Sequence, residues 1–313
     1  MGYLTKYGTI WGEIPSTHGR VFWVSPAATY VVDGRTYTAS DDQDGLSPER
    51  AKRTINNVLD NHVTANAGDV IVLLPGTHQP QDSDGTATSL AMDTAGVTLM
   101  GLPGGRGNFL KPKATITTVA GDQNLNASAA NCEIAHINFT AVTTDTCIDL
   151  TADADQLHIH DCSFDMSTAA ADTGTIGIEA LGAASNVLID HCFFDCDAAQ
   201  GPAIDATALL DSDIVNCLFK QNAGTWATTI LCGAGTVGLG IKDCEFEASV
   251  GTMTACINGS AADSSSAVTI LRCFFAAGAA TPIDNFTAGF AEISENYIAD
   301  VGVTGGTLVL AIT

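Results

Sequence analysis

A short pattern of apolar residues is repeated seven times along this chain, and it constrains the fold more than any other feature. Two clear copies are Val187–Phe194 (VLIDHCFF) and Val268–Phe275 (VTILRCFF). The seven copies are anchored at Ile137, Cys162, Cys192, Cys217, Cys244, Cys273 and Asn296, with steps of 25, 30, 25, 27, 29 and 23 residues. A repeat of this length predicts a solenoid, in which each repeat stacks on its neighbours.

The spacing inside each copy indicates the kind of solenoid. Apolar residues five and three positions before the cysteine share one face of a strand, and the Phe two positions after it resumes the alternation. The odd gap between the two runs breaks the alternation, so the chain must bend there. A second ladder predicts a third strand in each coil: Ile148, Ile178, Ile204, Ile230, Ile257 and Ile283.

The segment before the repeats has its own order of elements. An acidic turn, Asp41–Gly45, leads into Ser47-Pro48-Glu49, and Ser47 suits a helix N-cap. An apolar face with helical spacing follows, which predicts a helix at about residues 48–61. Gly68–His78 then has the pattern of a buried strand that ends in a Pro-Gly turn.

Together these features resemble the right-handed parallel β-helix of the pectate-lyase-like superfamily, with coils over roughly residues 95–300. Similar openings occur in bacterial surface proteins, lyases and tailed-phage virion proteins, where the helix closes the N-terminal end of the stack. The resemblance implies an all-β chain, a right-handed single-stranded parallel β-helix (solenoid) with an N-terminal capping helix. We predict an N-terminal arm at 1–40 and the β-helix at 41–313, ending in an apolar strand at 305–313.

Charge is distributed unevenly along the chain. Residues 114–313 hold three of the 12 Lys and Arg residues and 24 of the 35 Asp and Glu residues, a net charge of −21 out of −23. Such a surface repels nucleic acid, anionic membranes and anionic polysaccharides. The sequence contains no run of 18 apolar residues, and Met1–Thr9 lacks the pattern of a signal peptide. We therefore expect neither a nucleic-acid nor a membrane partner.

Seven of the ten cysteines occupy inward ladder positions. Inward cysteines behave as small apolar residues, so we predict reduced thiols and assembly in a host cytoplasm rather than a disulfide framework.

The two ends of the chain are candidate interaction surfaces. Residues 1–40 contain four of the five tyrosines and two of the three tryptophans, and residues 305–313 form an apolar strand with no polar cap after it. We predict partner contacts at Tyr3, Tyr7, Trp11, Trp23, Leu308 and Leu310. A homo-oligomer, a trimer by preference, would cover the C-terminal end. The alternative for the arm is that it packs on the solenoid's own flank.

A group of His and Asp residues is the candidate for chemistry. The residues Asp161, Asp190, His160 and His191 fall at neighbouring corners of successive coils, and two carboxyls one coil apart approach the geometry of a retaining glycosidase. Pairing of opposite charges at a solvated corner explains the same pattern without catalysis. We therefore assign no catalytic residue and keep these four as the alternative.

Two acidic segments resemble part of a calcium-binding loop. Asp42 and Asp44, and likewise Asp82 and Asp84, place carboxylates two residues apart before a glycine, as in part of a calcium loop. Because the distal Glu of such a loop is missing, an ordinary Asp-Gly turn is the competing interpretation, and we predict no cofactor.

These observations leave three classes of function open. We predict a non-enzymatic structural protein of a phage virion surface, a capsid decoration, protrusion or tail appendage, attached to capsid or tail proteins through its arm. The alternative is a tailspike-like polysaccharide-binding or depolymerising enzyme, which the scarcity of surface aromatics disfavours. A bacterial surface adhesin comes third.

Overall fold

The chain was examined as a computed structural model. It describes residues 19–81, 86–102, 114–117, 124–140, 146–166, 175–196, 201–248, 252–259, 267–276, 281–284, 286 and 291–298. These residues form short β-strands and one α-helix, α1 (Ile55–Asn61). The all-β prediction is confirmed.

The strands follow the repeated pattern of the sequence in chain order. The first half contains β1 (Val21–Val24), β2 (Thr29–Val32), β3 (Arg35–Thr38), β4 (Val70–Leu73), β5 (Gly76–His78), β6 (Leu90–Met92), β7 (Thr98–Gly101), β8 (Ala114–Thr117), β9 (Leu125–Ala127), β10 (Glu133–Ala135), β11 (Ile137–Thr140), β12 (Thr146–Leu150), β13 (His158–His160), β14 (Ser163–Asp165) and β15 (Ile176–Ala180). The second half contains β16 (Ala184–Ser185), β17 (Leu188–Asp190), β18 (Phe193–Cys196), β19 (Ile204–Asp205), β20 (Leu209–Leu210), β21 (Asp213–Val215), β22 (Leu218–Gln221), β23 (Thr225–Leu231), β24 (Leu239–Lys242), β25 (Glu245–Ala248), β26 (Thr252–Asn258), β27 (Val268–Leu271), β28 (Phe274–Ala276), β29 (Thr281–Asp284), β30 (Ala291–Ser294) and β31 (Tyr297–Ile298).

Three parallel sheets run along the solenoid. Sheet 1 has the order β1-β4-β7-β10-β13-β17-β21-β24-β27-β30, and sheet 2 has the order β31-β28-β25-β22-β18-β14-β11-β8-β5. Sheet 3 has the order β29-β26-β23-β19-β15-β12-β9-β6. The predicted isoleucine ladder lies in sheet 3, where Ile148 pairs with Ile178 and Ile178 with Ile204. Three strands per coil, and the fold itself, are therefore as predicted.

The predicted bend between the first two sheets is a single residue in the left-handed region. It lies directly before each anchor residue, and φ is 56° at His136, 52° at Asp161 and 50° at His191. The same conformation recurs at Asn216, Asp243, Arg272 and Glu295. A positive φ turns the chain sharply within one residue, which explains the break in alternation.

The core is a column of side chains stacked in register. Phe139, Phe164, Phe194, Phe219, Phe246 and Phe275 follow one another with ring centroids 4.5–5.3 Å apart and nearly parallel planes. All ten cysteines are free and buried, so the predicted inward position is confirmed. Burial raises the pKa of the Cys192 thiol well above its ordinary value, and that of Cys232 to about 12.

The capping helix begins later than predicted. Residues Pro48–Arg50 form a separate 3-10 turn, and Ser47 makes no side-chain cap. The α-helix starts after Thr54, whose hydroxyl accepts a hydrogen bond from the Asn57 backbone. The carboxylate of Asp41 accepts from the backbone N–H groups of Arg53 and Thr54 and so holds the break between the two elements. Helix α1 still buries its apolar face in the main core.

The predicted N-terminal arm enters the solenoid within its own range. Strand β1 is the first strand of sheet 1 and pairs with β4, so residues 21–24 belong to the coil stack. Strands β2 and β3 form an antiparallel hairpin beside it. Trp23 is 6% exposed and packs with Val70 and Val72, so it is not a surface anchor for a partner. The arm therefore packs on the solenoid's own flank from residue 21 onward.

The other predicted interface residues, Tyr3, Tyr7, Trp11, Leu308 and Leu310, lie outside the described residues. Within the described ranges, no helix has the length and apolar character needed to cross a lipid bilayer.

Candidate active site

The outer face of sheet 1 carries a group of histidines and carboxylates, here called the histidine cluster: Glu133, His158, His160, Asp161, Asp190 and His191. His158 and His160 alternate with the inward Ile159 on β13, so both lie on the outer face. Their rings stack with centroids 4.3 Å apart. Glu133 and Asp190 belong to the strands on either side, β10 and β17, and Asp161 and His191 are bend residues.

His160 is held between two carboxylates. Its Nε2 lies 2.8 Å from Glu133 Oε1, and its Nδ1 lies 2.8 Å from Asp161 Oδ2. Burial alone would lower the pKa of His160, but the hydrogen bonds to Asp161 and Glu133 outweigh it and raise the pKa to about 10. The bond from His160 lowers the pKa of Glu133. His160 is therefore an imidazolium whose two N–H groups both donate hydrogen bonds to carboxylates, and it cannot act as a base at neutral pH.

Asp190 forms the second half of the histidine cluster. His158 Nε2 donates to Asp190 Oδ1 at 2.7 Å, and His191 Nδ1 donates to Asp190 Oδ2 at 2.8 Å. Burial raises the pKa of Asp190, but these two bonds lower it by more. The carboxylate is consequently ionised at neutral pH and cannot serve as a general acid.

The four predicted candidates are thus brought together in an arrangement different from the one expected. His160 and Asp190 are register partners, as the sequence indicated, but His160 bonds to Asp161 and Glu133 instead. The cluster contains ionised acids and one fixed cation, without a protonated carboxyl. It does not supply the acid and base pair of a glycosidase.

A row of carboxyls on sheet 3 forms a second group of acids, one that the sequence patterns considered above do not single out. Asp149 pairs in register with Glu179, and Glu179 pairs with Asp205. Each follows a ladder isoleucine and precedes another core residue, so all three lie on the face opposite the core. Neighbouring strands are about 4.8 Å apart, which sets the spacing of the row. We call these three residues the carboxyl row.

Asp149 is the unusual member of the carboxyl row. It is 0% exposed, and neither of its carboxyl oxygens has a hydrogen-bond partner among the described residues. Burial raises the pKa of Asp149 to about 6, the nearby charge of Glu179 adds to the increase, and the Thr146 hydroxyl opposes it. Thr146 donates instead to Glu179, at 2.9 Å. A carboxyl whose pKa is raised beside a second carboxyl is an arrangement that acid–base catalytic sites use.

The isoleucine ladder could have revealed this row. The residues that follow the six ladder isoleucines are Asp149, Glu179, Asp205, Leu231, Asn258 and Asp284. Only the first three are consecutive acids.

The predicted calcium candidates are arranged as turn residues where they are described. Asp44 Oδ1 accepts from the Leu46 backbone N–H, and its Oδ2 lies 2.9 Å from Arg50 Nη1. Asp42 lies in the same turn, where its backbone N–H donates to the Ser40 hydroxyl. Asp82 and Asp84 lie outside the described residues.

Comparison with solved structures places the fold among pectin methylesterases. The enzyme PemA from Erwinia chrysanthemi aligns over 93% of this chain and 92% of its own, with a TM-score of 0.56 and 9% sequence identity. The pectin methylesterase from Aspergillus niger aligns over 83% of this chain and 89% of its own, with a TM-score of 0.55 and 14% identity. Identities this low establish a shared fold alone. No protein-family model matches the chain, and no curated protein matches its sequence.

A virus protein is also similar, but too distantly to support an argument. The ORF18 protein of Geobacillus virus E2 aligns over 78% of this chain with a TM-score of 0.37.

These comparisons correct our prediction of function. The structures that share the fold over most of their length are enzymes, which contradicts the prediction of a non-enzymatic structural protein of a phage virion. The alternative, a polysaccharide-binding or depolymerising enzyme, agrees better with them. The prediction rested on the scarcity of surface aromatics, which does not exclude an enzyme on this fold.

Proposed function

We propose that this protein is a hydrolase that acts on a carbohydrate polymer at the carboxyl row of sheet 3. The observation that carries the proposal is Asp149, a fully buried carboxyl without a hydrogen-bond partner among the described residues and beside Glu179. Such a carboxyl stays protonated to a higher pH than usual and can donate its proton to a leaving oxygen. Glu179, whose carboxylate accepts from Thr146, is the nucleophile in this scheme.

The reaction follows from the two roles. Asp149 protonates the glycosidic oxygen as its bond to the anomeric carbon breaks, and a Glu179 oxygen forms a bond to the same carbon. Asp149, now ionised, then takes a proton from water. The resulting hydroxide displaces Glu179 and restores both starting states. Strands about 4.8 Å apart suit the separation of roughly 5–5.5 Å found in retaining enzymes.

The charge of the chain restricts the substrate. Residues 114–313 carry a net charge of −21, and the site itself is a row of acids. A polyanion would be repelled from this surface. We therefore propose a neutral polysaccharide, or one whose acids are esterified.

Ester hydrolysis is the second candidate, and the fold neighbours favour it because they are named pectin methylesterases. In this reaction Glu179 attacks the ester carbonyl and Asp149 protonates the departing alcohol, which leaves an anhydride between the substrate acyl group and Glu179. Water that gives its proton to the ionised Asp149 then hydrolyses the anhydride, releases the acid product and restores both residues. The same two residues and the same protonation states are required.

The test is to incubate the purified protein separately with neutral polysaccharides and with methyl-esterified pectin. Reducing ends report glycosidic cleavage and methanol reports ester cleavage. We expect activity that Asp149→Asn and Glu179→Gln abolish. Asp284→Asn is the matched control, since Asp284 occupies the same ladder position farther along sheet 3. Wild-type activity in Asp149→Asn, or no release of either product from any polymer, would refute the proposal.

A further inference from the structure

The histidine cluster on sheet 1 has the donor set of a metal site. His158 and His160 are two residues apart on β13, and Glu133 is the register partner of His158 on β10. One ligand atom of each residue lies within 4.8 Å of the ligand atoms of the other two, and all three side chains are partly buried. This site lies on a different sheet from the carboxyl row and is independent of the proposed hydrolysis.

The atoms that would bind a metal are singled out by the other bonds of these residues. The Nδ1–H of His160 donates to Asp161, which leaves Nε2 directed at Glu133 Oε1, 2.8 Å away. The Nε2–H of His158 donates to Asp190, which leaves Nδ1 as the ligand atom of that ring. Metal-bound histidines commonly donate their second N–H to a carboxylate, which fixes the tautomer and the ring orientation.

Glu133 is oriented in the same way. Its Oε2 accepts a hydrogen bond from the Thr98 hydroxyl at 2.9 Å, and its Oε1 faces His160. Each of the three side chains therefore has one atom held by a neighbouring residue, and His160 and Glu133 direct their other atoms at each other. Supporting contacts of this kind are what a metal site requires beyond its ligands.

We propose that Glu133, His158 and His160 bind one divalent transition-metal ion, zinc by preference, between β10 and β13. Two imidazole nitrogens and one carboxylate oxygen form a known zinc ligand set and leave a fourth position open. Calcium and magnesium prefer all-oxygen ligands and are disfavoured. The ion replaces the proton between His160 Nε2 and Glu133, and that proton passes to solvent.

The charge balance of the cluster also favours a cation. Glu133, Asp161 and Asp190 are acids, and the hydrogen bonds described above place all three within contact of the two histidine ligands. A dication would compensate this excess of negative charge at short range.

A second set of residues meets the same distance criterion. His136, His160 and Asp161 also offer ligand atoms within 4.8 Å of one another. In that arrangement His160 would use Nδ1 and lose the bond that orients its ring. We therefore favour the first set, and the variants below separate the two.

The experiment is calorimetric titration of chelator-treated full-length protein with zinc chloride. We expect saturation at one zinc per chain and an increase in melting temperature on binding. His158→Ala, His160→Ala and Glu133→Gln should remove this binding, and Asp161→Asn should weaken it by roughly 10–100-fold. His191→Ala and His136→Ala are the controls that retain it. Thermal melts without zinc verify that each variant is folded.

Cobalt gives an independent readout of the ligands. Cobalt bound by nitrogen and oxygen shows visible absorption bands without the intense near-ultraviolet band of a cobalt–thiolate bond, so binding to the buried cysteines is distinguishable. A thiolate band, no zinc binding by the wild type, or loss of binding in His136→Ala but not in His158→Ala would each overturn the proposal.

Discussion

Asp149 and Glu179 are register partners on adjacent strands of sheet 3, yet within the described part of the chain only Glu179 accepts a side-chain hydrogen bond. Thr146 donates to Glu179, whereas both oxygens of Asp149 are buried without a partner among the described residues. Burial without a donor among these residues raises the pKa of Asp149. This asymmetry arises from backbone register together with the position of a single hydroxyl group.

The first prediction concerns the cost of this asymmetry for stability. Because the pKa of Asp149 is raised from 3.8 to about 6, the folded state binds a proton more tightly than the unfolded state. The free energy of unfolding therefore falls as pH rises from 3.8 to about 6, and it stays lower above that range. We expect Asp149→Asn to increase the free energy of unfolding by up to about 3 kcal/mol at pH 8, with no gain near pH 4.

Urea denaturation of both proteins across this pH range measures the effect. A variant less stable than the wild type at pH 8 would mean that the Asp149 carboxylate has a stabilising partner when ionised.

The second prediction concerns the pH dependence of hydrolysis. If Asp149 is the general acid, only its protonated form is active, so kcat should fall as pH rises through about 6. Steady-state rates on the responsive polymer between pH 4 and 9 measure this limb. The Asp284→Asn control should keep the wild-type profile, whereas activity that rises through pH 6 would assign Asp149 the role of a base.

The third prediction distinguishes the two possible partners of Asp149 in glycosidic cleavage. Glu179 is one strand away, about 4.8 Å, and Asp205 is two strands away, about 9.6 Å. Separations near 5 Å give retention at the anomeric carbon, whereas separations of roughly 6.5–9.5 Å give inversion. We expect retention, detected by proton NMR of the first product anomer. Inversion, together with inactivity of Asp205→Asn and residual activity of Glu179→Gln, would transfer the second role to Asp205.

The fourth prediction concerns the charges around His160. The pKa of His160 is raised from 6.5 to about 10, so its stabilising contribution is complete below pH 6.5 and is lost as pH rises toward 10. The pKa of Glu133 is lowered, so the contribution of that carboxylate is lost as pH falls below its usual value.

We expect His160→Gln to cost about 2 kcal/mol at pH 6 and much less at pH 10, measured by denaturant unfolding in chelator. His191→Gln, at a side chain that is 58% exposed, is the control and should change stability little. An equal loss for His160→Gln at both pH values would indicate that packing, rather than charge, is removed.

The fifth prediction separates the two aromatic rings of one repeat. Phe194 is 0% exposed and stacks between Phe164 and Phe219, whereas its neighbour Phe193 lies on the opposite face of β18. We expect Phe194→Ala to cost about 3–5 kcal/mol because it leaves a cavity in the column. Phe193→Ala should cost far less, and equal losses in urea denaturation would contradict the stacked core.

The sequence predicts the parts of this molecule that recur from coil to coil. The cysteine and Phe positions are repeated because the same space is filled on each coil, and the bend is visible because one residue breaks the alternation. The start of α1 was mispredicted because the Asp41 carboxylate, more than ten residues upstream, accepts hydrogen bonds from the backbone N–H groups of Arg53 and Thr54 and so keeps these two residues out of the helix. Local cap signals at Ser47 carry no information about such a contact.

The candidate site was harder to predict for a related reason. Outer positions face solvent and follow no repeat, so Asp149 resembles any other exposed acid in the sequence. Its burial and its lack of a partner arise only in the folded chain. The contacts of His160 also depend on the folded chain. Strand register places Asp190 opposite His160, but the direction of the side chain brings it to Glu133 and Asp161 instead.

The left-handed bends make each coil a module with fixed ends. A stretch from one bend to the next, such as 192–216, starts and finishes at equivalent points of the fold. When such a stretch is removed or duplicated, the two coils brought together present the same pattern of strands and inward side chains. A solenoid of this kind therefore gains or loses length in whole coils. The coils already differ in length by up to seven residues, so the corners accept insertions, whereas one extra residue inside a strand would turn the side chains that follow it to the other face. The stretch 162–191 contains Glu179, so a chain that lost this coil would keep its column of rings and lose its carboxyl pair.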